Sequence, residues 1–237
     1  MGKVIMSGIV PLLTNPISGI LASTLAVGST VKLMEGGTEV EFLVVHQGLP
    51  GSIYDASCEG CWLLRKNVKE NRVWTTTNYN QYAASTVNTW LNNDYINSFG
   101  ALEQSLIKTV KIPYVNGTGS GGSVASGANG LSVKAFLLSA RETHGTSNYF
   151  HEDGEVLSYF TGYEDDASRR IAYLDGIADY WWFRSPPTHQ KTQIWGVTDA
   201  GAFGFYPKDS SYGIRPAVIL PSDALFDKNT LILKGVA

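Results

Sequence analysis

Between Tyr180 and Leu220 a glycine or proline breaks the chain every few residues: Pro186, Pro187, Gly196, Gly201, Gly204, Pro207, Gly213 and Pro216. Neither residue type suits a helix interior, because proline removes an amide donor and clashes with the preceding turn while glycine loses the most backbone entropy. The runs between the breaks are aromatic or branched: Trp181, Trp182 and Phe183; Ile194, Trp195 and Val197; Phe203, Phe205 and Tyr206; then a closing stretch over residues 211–220. Such runs, bounded by turn formers, read as strands, so this third of the chain folds as small strands joined by tight turns. Leu231, Ile232 and Leu233 add a terminal strand.

The earlier part of the chain carries the helices. Residues 30–33 and 39–45 alternate apolar and polar on either side of Gly36 and Gly37, the pattern of a β-hairpin. Residues 61–66 continue as a strand. Ser85 is placed as the N-cap of a helix over 85–92, with Val87, Trp90 and Leu91 on one face. A second short helix spans 101–108 with Leu102, Leu106 and Ile107 inward, followed by an extended segment at 109–113. Residues 116–130 hold six glycines and read as a flexible surface loop; no Lys-Ser/Thr follows a GxxxxG there, so the loop is not a phosphate cradle. A strand over 133–138 and a short helix near 155–160 complete the pattern. Strands that do not alternate with helices indicate α+β architecture with short antiparallel strands, two short helices and long loops, and not a parallel βαβ sheet.

The chain of 237 residues is 43% hydrophobic, enough for a sizeable core, and only 16% charged, against roughly 25% in an average soluble domain. A net charge of −3 without a basic patch argues against nucleic acid as a partner. No window reaches the ~18 apolar residues of a membrane span, and the start, broken by Ser7, Gly8 and Pro11, lacks the form of a secretion signal. The apolar residues of 1–28 are punctuated by Pro11, Pro16, Gly19 and Gly28; they form an arm that either folds on its own core or makes an attachment or oligomer contact, leaving 29–237 as the main domain.

Cys58 and Cys61 form a single CxxC that leads into a strand and lacks a second ligand pair, which reads as two structural thiols; a local disulfide, or metal or redox use, are the alternatives. His144 and His151, with Glu142, Glu152 and Asp153 nearby, are read as solvated loop residues rather than metal ligands, and Asp165-Asp166 likewise rather than a calcium site. The acidic pairs lie in polar surroundings with nothing to raise a pKa, and no G-x-S-x-G elbow occurs. No metal, cofactor or catalytic residue is therefore assigned.

Trp181-Trp182-Phe183-Arg184-Ser185-Pro186, followed by Trp195-Gly196 and then Gly213-Ile214-Arg215-Pro216-Ala217, resembles the C-terminal signature of C-type-lectin-fold proteins related to the formylglycine-generating enzyme. That group includes the variable target proteins of diversity-generating retroelements, among them phage tropism determinants. The pair W-W-x-R-S-P and G-x-R-P-A also resembles a bacterial and prophage domain family of unassigned function. The similarity extends through residues 62–64, 90–93 and 136–139 and covers roughly 30–222, while the arm resembles tail-associated proteins of phages infecting gut Firmicutes. The resemblance implies a C-type-lectin-like domain that binds a host cell-surface protein or glycan. It also implies a place in the virion among other phage tail proteins, with a trimeric homo-oligomer by analogy. The enzymes of the group use two cysteines late in the chain; none follows Cys61 here, so that activity is not carried over. A structural particle protein and a hydrolase or modifying enzyme are the competing readings.

Within that frame Arg184 and Arg215, beside prolines at strand ends, are read as buried fork-shaped donors that tie loops together, and Trp181 and Trp182 as packing residues on opposite faces of one strand. The segment between the arginines is the candidate ligand face: Thr188, His189, Gln190, Trp195, Thr198, Asp199, Phe203, Phe205, Tyr206, Lys208, Asp209, Ser210, Ser211 and Tyr212. Aromatic rings offer wide contact area at low entropy cost, and small polar side chains adapt their hydrogen bonds. Strand alternation implies that about half of the aromatics face the core.

Overall fold

The structure, a computed structural model, describes residues 19–162 and 166–237. The chain runs β1 (Ile20–Leu21), β2 (Thr30–Glu35), β3 (Thr38–Gln47), β4 (Cys61–Arg65), β5 (Asn71–Val73), α1 (Thr86–Trp90) and α2 (Ala101–Leu106). There follow β6 (Val110–Ile112), β7 (Tyr114–Asn116), β8 (Ser123–Ala125), β9 (Leu131–Val133), β10 (Ala135–Phe136), β11 (Ala172–Leu174) and β12 (Ile177–Asp179). The last part holds β13 (Trp181–Trp182), β14 (Gln193–Val197), β15 (Phe203–Pro207), β16 (Ser211–Gly213), β17 (Ala217–Leu220), β18 (Ala224–Phe226) and β19 (Leu233–Val236). Many short strands with few, short helices make this an α+β protein.

Two five-stranded sheets carry the core. The first has the order β10-β17-β4-β3-β2 and the second β15-β14-β13-β16-β5. The β2–β3 hairpin turns on Gly36 and Gly37, whose φ values of 60° and 77° are those of a two-residue turn open to glycine. Val31 and Leu33 point inward and are fully buried. In the middle of the first sheet β4 and β17 are covered on both faces, which explains their unbroken apolar runs. Trp62 stands there edge-on to Tyr54 and Phe136, with ring centroids 5.4 and 5.6 Å away.

Both expected helices form. The Ser85 hydroxyl accepts a hydrogen bond from the Asn88 amide at 3.1 Å, capping α1, and the chain continues through a π-turn at Leu91–Tyr95. In α2 the residues turned inward include Glu103, whose carboxylate accepts the Met34 amide at 3.0 Å. Other expectations are corrected. Residues 155–160 form turns and no helix, with Leu157 and Phe160 individually buried. The glycine-rich segment is not a loose loop: it contains the β7–β8 hairpin, and several of its glycines lie where a side chain would strike backbone. The strand over 133–138 is split, because the Asn92 carboxamide inserts into it, accepting from the Lys134 and Ala135 amides and donating to the Ala135 carbonyl. The stretch 211–220 leaves the second sheet after β16 and enters the first as β17, so Arg215 sits where the chain changes sheets.

Of the arm expected over 1–28, residues 1–18 lie outside the described residues. Ile20 and Leu21 pair with Phe226 and Leu225, and the Gln47 amide donates to the carbonyls of Ala22 and Leu25, so this stretch packs on its own domain. Asp165 is also outside the described residues, and Asp166 accepts the Ser168 amide at the start of a 3-10 turn. Cys58 and Cys61 are free and fully buried, and burial pushes both thiols up to about 12, which leaves them protonated and unreactive. Among the described residues no helix is long and apolar enough to cross a membrane.

Candidate functional site

Two buried arginines fix the backbone on either side of the candidate face. Arg184 is 1% exposed and uses its whole donor fork. It binds both oxygens of Glu142 at 2.7 Å and donates to the carbonyls of Pro113, Leu137 and Asp153 at 3.0, 2.9 and 2.8 Å. Burial opposes its charge, but the Glu142 carboxylate outweighs that and holds the guanidinium ionised. Glu142 also accepts the Tyr54 hydroxyl at 2.7 Å and the Ser139 amide at 2.8 Å. The next residue extends the network: the Ala140 amide donates to the Ser185 hydroxyl, which donates to Asp153 Oδ2 at 2.7 Å. Asp153 corrects the expectation of a polar site with nothing to raise a pKa: it is fully buried, its Oδ1 has no hydrogen-bond partner among the described residues, and burial raises its carboxyl to about 6.

Arg215 ties loops differently, through backbone alone. It donates to the carbonyls of Arg65, Lys66 and Arg170, and its guanidinium lies 5.1 Å from the Trp181 ring. Burial pulls it down to about 10. Trp181 and Trp182 are both fully buried and donate their indole N–H groups to the Arg170 and Arg72 carbonyls. All four anchor side chains are thus buried and hydrogen-bonded to backbone.

The second sheet sorts the candidate residues by face. Trp195 opposes Phe205 and Val197 opposes Phe203, so these side chains share the side of Trp181. On that side Trp195, 5% exposed, and the half-buried Phe203 pack on Phe150 with centroids 4.3 and 5.4 Å away, which makes Trp195 a core residue and not a surface one. Phe205, at the rim, is 37% exposed. His189 packs against it at 5.6 Å and against Tyr149 at 4.4 Å, giving a surface shelf of three rings. On the opposite side Tyr206 and Tyr212 gather with Tyr180 over Trp182. Burial raises the Tyr206 hydroxyl, and the neighbouring Tyr180 and Tyr212 add to it. Thr198 and Asp199 lie at the far end of the β14–β15 hairpin, where the Thr198 hydroxyl accepts the Ala202 amide. Ser211 is exposed on β16, and alternation puts it on the face opposite to its neighbour Tyr212. The candidates therefore divide among three places.

One place has the form of a binding surface. Beside the three-ring shelf runs an open groove of about 540 Å³ lined by Asn78, Gln190, Thr192, Gln193, Pro207, Lys208 and Asp209. Among the described residues, the polar side chains of this lining make no hydrogen bond or ion pair within the chain. Thr188, half-buried, carries the chain past the shelf by donating its amide to the Tyr149 carbonyl. Ser210, half-buried, closes the turn after Pro207.

The groove floor rests on residues that the sequence did not single out. Asn80, fully buried, donates to the carbonyls of Gln190 and Gln193 at 3.1 and 2.7 Å and accepts the Gly119 amide at 3.0 Å. Gly119 fits because a Cβ there would lie 2.1 Å from the Pro187 carbonyl oxygen. His151 contacts the Gly119 carbonyl through Nε2 at 3.0 Å, and burial lowers its pKa, so the ring is the neutral donor. Only a turn-rich composition marks Asn78 and Asn80 in the sequence, since the partners of Asn80 lie 39, 110 and 113 residues away. Replacing Asn80 with alanine strands one buried and two part-buried backbone groups, an expected loss of about 1–3 kcal/mol by urea denaturation together with faster amide exchange at 188–193. Among the described residues no three His, Cys, Asp or Glu side chains gather as a metal set would; Glu142 pairs with Arg184 instead.

No curated protein and no solved structure matches the chain. The model of a family described as a domain of unknown function, DUF6273, matches residues 59–222, a span that holds both arginine anchors, the groove and its floor. That match covers well over half of the sequence, and the chain belongs to the DUF6273 family.

Proposed function

We propose that the chain is a ligand-binding module without chemistry of its own, on a C-type-lectin-like scaffold of the formylglycine-generating-enzyme type. We assign it to host recognition as a phage tail-associated protein, with a host cell-surface protein or glycan as its ligand. The observation that carries this reading is the surface at 188–209: exposed rings of His189 and Phe205 beside a groove of polar side chains without partners among the described residues, on a backbone pinned from beneath by Asn80 and flanked by the Arg184 network. Rigid aromatic anchors next to adaptable polar groups are the composition of recognition surfaces, and preorganisation lowers the entropy cost of binding. The scaffold reading is supported by the roles of Trp181, Trp182, Arg184 and Arg215, the residues of the resembling motifs, as buried ties between loops.

The test compares binding of the purified chain to a panel of intact bacterial cells with binding of a His189→Ala, Phe205→Ala variant, whose exposed positions spare the core. Loss of two central aromatic contacts is expected to weaken binding by about 10- to 100-fold while the thermal midpoint moves little. Equal binding by both proteins would move recognition to another face, such as the Tyr180, Tyr206 and Tyr212 cluster. Absence of binding to every cell type would favour the reading as a structural particle component.

A further inference from the structure

We infer that the ligand of this groove is a carbohydrate: an uncharged, hydroxyl-rich oligosaccharide lying across Gln190, Gln193 and Asp209, with one sugar ring stacked on the shelf of Phe205, His189 and Tyr149. This rests on the binding reading given above. Three carboxamides, of Asn78, Gln190 and Gln193, line the groove together with one hydroxyl, one cation and one carboxylate. A carboxamide offers a donor pair and an acceptor in one plane, which suits neighbouring hydroxyls that each donate and accept. Lys208 and Asp209 stand side by side and cancel, so no excess of either sign is present to select a phosphorylated chain or a basic peptide.

The apolar part of the surface fits the same ligand. Phe205 is 37% exposed and Tyr149 51%, and they meet His189 as a continuous shelf. An aromatic face carries partial negative charge and attracts the weakly positive C–H groups on one side of a sugar ring. A peptide anchored by large side chains needs deep desolvated pockets, whereas this groove is open and polar. The shelf and groove are joined: His189 adjoins Gln190, and on the same side of β15 Phe205 is followed two residues later by Pro207, which pairs with Gln193. Asn80 holds the carbonyls of both glutamine residues, so their side chains leave from a fixed floor.

The experiment applies the full chain to an array of purified bacterial capsular and wall polysaccharides with their oligosaccharide fragments. In parallel it applies the chain to intact cells treated either with periodate, which cleaves neighbouring diols, or with protease. Retention on at least one saccharide is expected, weakened 10-fold or more by Gln193→Ala and by Phe205→Ala. Cell binding should be lost after periodate and kept after protease. If Phe205→Ala disturbs the fold, Gln193→Ala, a partly exposed polar position, decides alone. Cell binding that resists periodate but is lost to protease would overturn the carbohydrate and leave the binding reading standing. Saccharide retention unaffected by either substitution would overturn the location, and absence of both saccharide and cell binding would overturn both readings.

Discussion

Arg184→Met is expected to cost the fold about 3–5 kcal/mol, a large share of the 5–15 kcal/mol that holds a typical domain together. Methionine fills much of the volume but supplies none of the five donors. Glu142 would remain fully buried with only the Tyr54 hydroxyl and the Ser139 amide for partners, and the carbonyls of Pro113, Leu137 and Asp153 would lose theirs. The midpoint of urea denaturation should fall with its slope nearly unchanged. Arg184→Lys should recover little, because one ammonium cannot span both carboxylate oxygens and three carbonyls. The double variant Arg184→Met, Glu142→Leu should be more stable than the sum of the single losses implies, since it removes the buried charge that each single variant strands. A cost below about 1 kcal/mol for Arg184→Met, or simple additivity in the cycle, would show that the network does not hold the loops.

How far the sequence could lead is clear from individual residues. The β2–β3 hairpin, the Ser85 cap and the buried roles of Arg184 and Arg215 rest on local rules, and local rules are visible in a sequence. The break at Lys134 is not visible, because Asn92, which makes it, lies 42 residues away. Nor is the change of sheet after Gly213, since periodicity reads one apolar run and is blind to which sheet receives it.

The same division governs the site. That the segment after Arg184 would present aromatic and polar side chains is legible from composition, and alternation divides its aromatics between two faces. Which of them face outward depends on Phe150, a residue from a loop with no strand signal, which covers Trp195 and Phe203 and leaves Phe205 at the rim. The groove exists only because Asn80 and Gly119 bring loops from three parts of the chain to one place, and no spacing rule records that meeting. The glycine-rich segment misleads for a related reason. Glycine marks flexibility where space is free and close approach where it is not, and only the fold distinguishes the two.

Asp153 offers the second large effect, and its sign follows from burial. Its carboxyl is raised from 3.8 to about 6, by burial above all and with a smaller push from Glu142, against the lowering influence of Arg184 and the Ser185 hydroxyl. A carboxyl that holds its proton more tightly in the fold than in the unfolded chain contributes stability fully present below pH 3.8 and lost as pH rises through about 6. The difference corresponds to about 3 kcal/mol. An asparagine side chain does not titrate, so in Asp153→Asn this loss should vanish. Whatever fixed cost the amide carries in accepting from Ser185 and facing the unpartnered Oδ1 position, the stability of the variant relative to the parent should rise by about 3 kcal/mol between about pH 3 and pH 7 and level off above that. Urea midpoints for both proteins across that range would measure it. A relative stability that stays flat would mean that Asp153 ionises as an ordinary carboxyl, with water reaching Oδ1. The expected rise would mean that the loop network around Arg184 holds a buried negative charge at neutral pH, kept because Ser185, which accepts the Ala140 amide, needs an acceptor there to fix the chain leading into the binding groove.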